Sequence, residues 1–115
     1  MPKKKTAVPP TMFKDFVADH PTIAGAYEAL GKAVRAAGPL TEREVALVKL
    51  AISVGARLEG GVHAHVRKAL AAGIDRKAIE QVALLAIPTI GWPPAMAAYT
   101  WVEDKGRVRR GANRA

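Results

Sequence analysis

The stretch TEREVALVKLAISV, residues 41–54, constrains the fold of this chain more than any other. Thr41 and Glu44 have the spacing of a capping box, in which the threonine side chain accepts from an orphan amide of the first turn and the glutamate reaches back to the cap backbone. Val45, Leu47, Val48, Leu50, Ala51, Ile52 and Val54 then cover most of the circumference. A helix that is apolar over most of its surface has to be buried on more than one side. It is therefore expected at the centre of the fold, with the other helices around it.

The remaining segments supply those helices. A short one is expected over Thr11–Asp19, with Phe13, Phe16 and Val17 on one face. Ile23, Tyr27, Leu30 and Val34 recur at helical spacing, with Pro21 suited to the first turn and Gly38 to the end. A fourth helix begins between Arg57 and Val62 and runs to Ala72, with Gly73 past its end. Asp75 caps a fifth, which is expected to stop at Pro88 because proline lacks the amide and restricts the residue before it. PTIGWPP reads as a loop, and a last helix runs from about Pro93 to Asp104. No segment alternates with period two for long enough to be a strand. The expected class is all-α, a bundle of about six helices.

At 115 residues the chain has room for one core, placed at residues 11–104. The net charge of +8 equals that of Lys3, Lys4, Lys5, Lys105, Arg107, Arg109, Arg110 and Arg114 together. The basicity thus belongs to two tails, 1–10 and 105–115, which are expected to be disordered, and the part between is nearly neutral. Basic tails can hold nucleic acid by counterion release, but no aromatics are interleaved with the basic residues, so nucleic acid is not an expected partner. No apolar run approaches the roughly 20 residues of a membrane span, and MPKKKTAVPP is not followed by the apolar block of a secretory signal. A cytoplasmic protein is expected, with no membrane partner. The chain has no cysteine, which excludes disulfides, thiolate catalysis and thiolate metal sites.

The chemistry-bearing residues cluster in RLEGGVHAHVR, residues 57–67. At 100° per residue, Leu58, Val62, Val66 and Ala69 or Leu70 form an apolar stripe, and His65 falls within it beside Gly61. His65 therefore faces the core or an interface, either as a packed histidine bonded to a carbonyl or as a functional group. His63 lies about 200° away, with Glu59 one turn before and Arg67 one turn after. It is a surface imidazole tied to Glu59, or a second functional group. Two histidines so placed cannot share a metal, and a site on Glu59 and His63 would need a third ligand, with only His20 left to offer an imidazole. No metal is expected. Gly60 and Gly61 cost a helix roughly 1 kcal/mol each relative to alanine, so a neighbouring helix or a ligand is expected to approach there.

LTEREVALVKLAISVGARLEGGVHAHVRKALAAGIDRKAIEQVALLAI resembles the carboxymuconolactone decarboxylase and alkylhydroperoxidase D family, and the resemblance extends over about residues 23–104. It rests on a helix followed by a motif ending in histidine, then A-L-x-x-G and a charged cap before another apolar helix, with GWPPAMAA like the turn before the family's last helix. The peroxidase branch carries Cys-x-x-Cys-x-x-x-His. With the histidine set on His65, its cysteines fall on Leu58 and Gly61, so the thiol chemistry of that branch is excluded here. Its assisting glutamate falls near Ala46, out of register with Glu42 and Glu44. The decarboxylase branch has H-x-R-x-A-L, matched by His65, Arg67, Ala69 and Leu70, and works without a cofactor.

The resemblance implies an alkylhydroperoxidase D-like bundle that assembles as a homo-oligomer, commonly a trimer or hexamer. It also implies decarboxylase or lyase chemistry on a small anionic lactone-like compound. Such a reaction needs a cation for the carboxylate, donors for the enolate oxygen and an acid that reprotonates carbon. His65 is the expected acid or base, with His63 and Glu59 beside it. Arg57 or Arg67 is the expected carboxylate anchor unless each is merely a solvated charge, and Leu58 and Gly61 are expected to line the pocket. A non-catalytic scaffold or binding module is the alternative.

Overall fold

The computed structural model describes residues 11–114, with side chains for residues 11–104. The helices there are α1 Thr11–Asp19, α2 Pro21–Arg35, α3 Glu42–Gly55, α4 Glu59–Ala71, α5 Arg76–Ile90 and α6 Trp92–Arg114. The all-α expectation holds. The basic segment 1–10 and the side chains of 105–115 lie outside the described residues. The backbone of α6 runs past Asp104 to Arg114. Lysine and arginine are good helix formers, so the change of composition at 105 does not itself end the helix.

Local chemistry sets the helix ends. The capping box on α3 is complete, with the Glu44 amide donating to Thr41 Oγ1 at 3.1 Å and the Thr41 amide to Glu44 Oε1 at 2.9 Å. At the end of α4 the Ile74 amide donates to Ala69 O and the Gly73 amide to Leu70 O, both at 3.0 Å, with Gly73 left-handed at φ 86°. This is a Schellman closure, in which the left-handed residue usually is glycine. The end of α3 repeats it with Arg57 at φ 61°, the Leu58 amide reaching Ser53 O at 3.0 Å and the Arg57 amide Val54 O at 3.1 Å. Asp75 caps α5 by accepting from the Lys77 amide at 3.3 Å.

The core is built by α3 to α6. α4 folds back along α3, α6 packs on α4 and α5, and α5 also meets α3. Leu50, Val62, Val66, Ile79 and Val102 are fully buried among small residues such as Ala69, Ala83, Ala95 and Ala98, which let the helices approach closely.

Four expectations are corrected. Pro88 does not end α5, which continues to Ile90. The proline ring and Leu84, whose carbonyl it deprives of an amide, are both exposed, so water can serve that carbonyl, and Thr89 Oγ1 donates to Leu85 O at 2.8 Å. PTIGWPP is consequently not a loop: Gly91 alone separates the two helices, at φ 99° and ψ 163°, a region essentially reserved for glycine. Pro93 and Pro94 sit in the first turn of α6, where amides have no partner to lose. α2 ends at Arg35, short of Gly38; Pro39 disfavours helical backbone at the residue before it. α3 is buried on one side only: Val48 and Ile52 are 44% and 61% exposed.

The packing of α2 is the largest departure. Its apolar stripe of Ile23, Tyr27, Leu30 and Val34 is 56–71% exposed. Neither α1 nor α2 contains a buried residue.

Candidate functional site

The α3–α4 turn brings the site residues into place. Leu58 is the residue before α4, extended at φ −97° and ψ 91° and 53% exposed, so it does not join the buried stripe. At Gly61 α4 comes close to α3. A Cβ there would meet Ser53 Oγ at 3.0 Å, whereas one on Gly60 would meet nothing within 4 Å. The close approach expected at the glycine pair therefore belongs to Gly61 and comes from the neighbouring helix.

α4 presents its two histidines to different surroundings. His63 Nε2 lies 3.5 Å from Glu59 Oε2, with the carboxylate side chain 60% exposed; that distance supports an ion pair only when the ring is protonated, and is long for a hydrogen bond. Arg67 shares that side of the helix one turn on, and its Nε is buried without a partner, so it is not a plain solvated charge. Arg57 is exposed in the turn. Glu59 and His63 are brought together, while His65 faces elsewhere and joins neither.

His65 lies within electrostatic reach of two lysines. Because α4 folds back on α3, one turn along from the Gly61–Ser53 contact puts His65 opposite Lys49, and Lys68 stands one turn further on α4. Burial first, then the charges of Lys68 and Lys49, hold the half-buried imidazole below its ordinary value of 6.5. Lys68 is itself held below 10.5 by burial, then by Lys49, Arg67 and Arg35. No carboxylate answers these cations: among the described residues neither lysine lies within salt-bridge distance of one. Lys49 and Lys68 also line a cavity of about 560 Å³ under α2, together with Arg35. The result is a neutral imidazole at the edge of an unpaired cationic patch, able to take up a proton when an anion arrives to offset the lysines.

A pH dependence follows. The unfolded His65 titrates near 6.5 and the folded one lower. Between those values the unfolded chain binds more protons, so stability rises with pH across that window. The destabilisation is absent above 6.5, sets in as pH falls, and is complete below the folded value. Urea denaturation at pH 7.5 and pH 5.5 is expected to show the wild type losing more stability on acidification than His65→Gln, by the increment due to this ring. Equal losses would mean that the ring is not shielded as described.

Sequence reasoning missed Lys49, Lys68 and Arg35. Lys49 had a legible signal, a single charge inside the apolar run from Val45 to Val54. Arg35 had none, because its relation to α4 is purely tertiary. Among the described residues no group of three or more His, Cys, Asp or Glu is placed to hold a metal, and His20 lies against Phe16 with ring centroids 4.9 Å apart. No helix among them is long and apolar enough to cross a membrane.

Comparison with known families matched residues 21–104 to the model described as the carboxymuconolactone decarboxylase family. Neither curated proteins nor solved structures gave a match.

Proposed function

The chain belongs to the carboxymuconolactone decarboxylase family, and from that premise we propose that it is a cofactor-free decarboxylase or lyase for a small anionic cyclic compound. His65 carries the proton, and Lys49 and Lys68 anchor the carboxylate in place of the arginines expected from sequence. The observation that carries this reading is a half-buried imidazole whose proton affinity is lowered by burial and by two nearby lysines that have no acidic partner among the described residues.

The groups suit each step. The bond from carbon to the departing carboxylate breaks, carbon dioxide leaves, and the electron pair passes onto a conjugated carbonyl as an enolate. Ammonium donors stabilise that oxygen in partly dry surroundings. The bound anion offsets the lysine charges and raises the proton affinity of His65, which takes a proton from solvent and delivers it to carbon. Carboxylate and proton in, carbon dioxide and protonated carbon out, balance.

Carbon dioxide release from a panel of carboxylated lactones tests the reading. Release by the wild type at neutral pH, without added cofactor, is expected. A panel giving only background, with anion binding intact, would select the second reading, a binding module. The division of the sequence candidates between two faces of α4 favours that module.

The active form is a homo-oligomer, a trimer or hexamer. Supporting this are the exposed stripe of α2 and the exposed Val48, Ile52, Leu84 and Leu85, apolar surface of the kind that marks association sites. Sedimentation equilibrium at micromolar concentration is expected to give three or six chains, and a monomer would overturn it.

A further inference from the structure

The side of α2 that faces the protein reads Pro21, Ala24, Gly25, Glu28, Gly31 and Arg35, small residues with a cation at the end. Steps of three and four keep these on one face, and the spared side chains leave the cavity of about 560 Å³ between α2 and the α3–α4 pair. That volume lies within the roughly 300–1,000 Å³ of small-molecule sites. The lining runs from Pro21 to Arg35, a rise of about 21 Å along the helix.

Its two ends differ. At the Pro21 end Phe13 and Val17 of α1 supply apolar walls, with Tyr27 beside them. At the other end Arg35 folds back over Gly31, its Nη1 lying 3.7 Å from where a Cβ would stand, and meets Lys49 and Lys68. Glu28 is the one acid along the wall and pairs with none of the three cations. Three cations crowded without a counter-charge repel one another, and a bound anion removes that repulsion. Burial first, and then the charges of Lys49, Arg67 and Arg35, lower the proton affinity of Lys68.

We propose that this cavity binds a carboxylate carrying an unbranched apolar tail of medium length, the head on Arg35, Lys49 and Lys68 and the tail along Phe13 and Val17. The inference rests on the reading of Lys49 and Lys68 as a carboxylate anchor. It adds that the compound handled by His65 bears an alkyl extension and is not a compact polar acid.

Calorimetry on the full chain with hexanoate, decanoate and 1-decanol tests this without turnover. Each buried methylene favours binding several-fold, so decanoate is expected to bind at least tenfold more tightly than hexanoate. Decanol is expected to bind at least tenfold more weakly than decanoate, because it brings no charge to the cations. Gly25→Leu fills the apolar half, where nothing lies within 4 Å of a Cβ, and is a favourable helix substitution. It is expected to erase the preference for decanoate over hexanoate. The Lys49→Gln/Lys68→Gln double variant is expected to lose at least tenfold for both acids. Equal binding of hexanoate and decanoate by the wild type overturns the tail, and leaves lactone turnover to stand by its own assay. Equal binding of decanoate and decanol overturns the cationic head. Failure of turnover with decanoate binding intact strikes the proposed reaction alone.

Discussion

His65→Gln is expected to lower turnover by about 10²–10⁴-fold, the usual worth of a positioned proton carrier, while changing the Michaelis constant only a few-fold. Glutamine keeps much of the size and hydrogen-bonding capacity of imidazole but cannot exchange a proton near neutral pH. The carboxylate remains held by Lys49 and Lys68, so binding persists and the loss falls on kcat. Glutamine also carries none of the cost of protonating a half-buried imidazole near two lysines, so the variant is expected to be no less stable at pH 5.5 than the wild type. The pH profile separates chemistry from shape: the limb of kcat belonging to His65 should vanish in the variant. An unchanged kcat, or a loss confined to the Michaelis constant, would remove the ring from the proton step.

Much of this fold was written in local chemistry. Thr41 with Glu44, Asp75, and Gly73 each mark a helix end because the groups that satisfy the orphan amides and carbonyls are neighbours in sequence. Where the outcome depended on which side of a helix meets water, the pattern misled. The stripe of α2 has regular helical spacing yet stays exposed, since spacing reports that a face is apolar and not what covers it. Pro88 is tolerated because its cost depends on whether the deprived carbonyl can reach water, which sequence does not encode. The candidate site divided along the same line. His65 and its helix face were legible from the 100° period, and so was the close approach at Gly61. That Lys49 stands opposite His65 required knowing how α4 folds back on α3.

Gly61→Val is expected to cost about 3 kcal/mol of stability, the upper range for overpacking, in contrast to Gly60→Ala, expected to gain about 0.5–1 kcal/mol. At Gly61 a Cβ would meet Ser53 Oγ at 3.0 Å, Leu58 Cβ at 3.3 Å and Ser53 Cβ at 3.4 Å. Ser53 is only 5% exposed and sits on the buried side of α3, so it has nowhere to yield. Valine adds two methyls to that contact and must push α3 and α4 apart. At Gly60 the space is open, and alanine simply relieves the entropy that glycine loses in a helix.

The same contact bears on function, because the resemblance sets the cysteines of the peroxidase branch on Leu58 and Gly61. A thiol at 61 brings the same Cβ against Ser53, so the Leu58→Cys/Gly61→Cys variant is expected to be destabilised and to recover on adding Ser53→Gly. Ser53 lies one turn from Lys49, and Gly61 one turn from His65. Wedging the helices at 61 therefore shifts the lysine relative to the imidazole, and Gly61→Val should weaken decanoate binding as well as stability. Denaturation that leaves Gly61→Val as stable as Gly60→Ala would mean that α3 and α4 do not meet there, and the placement of Lys49 opposite His65 would fall with that contact.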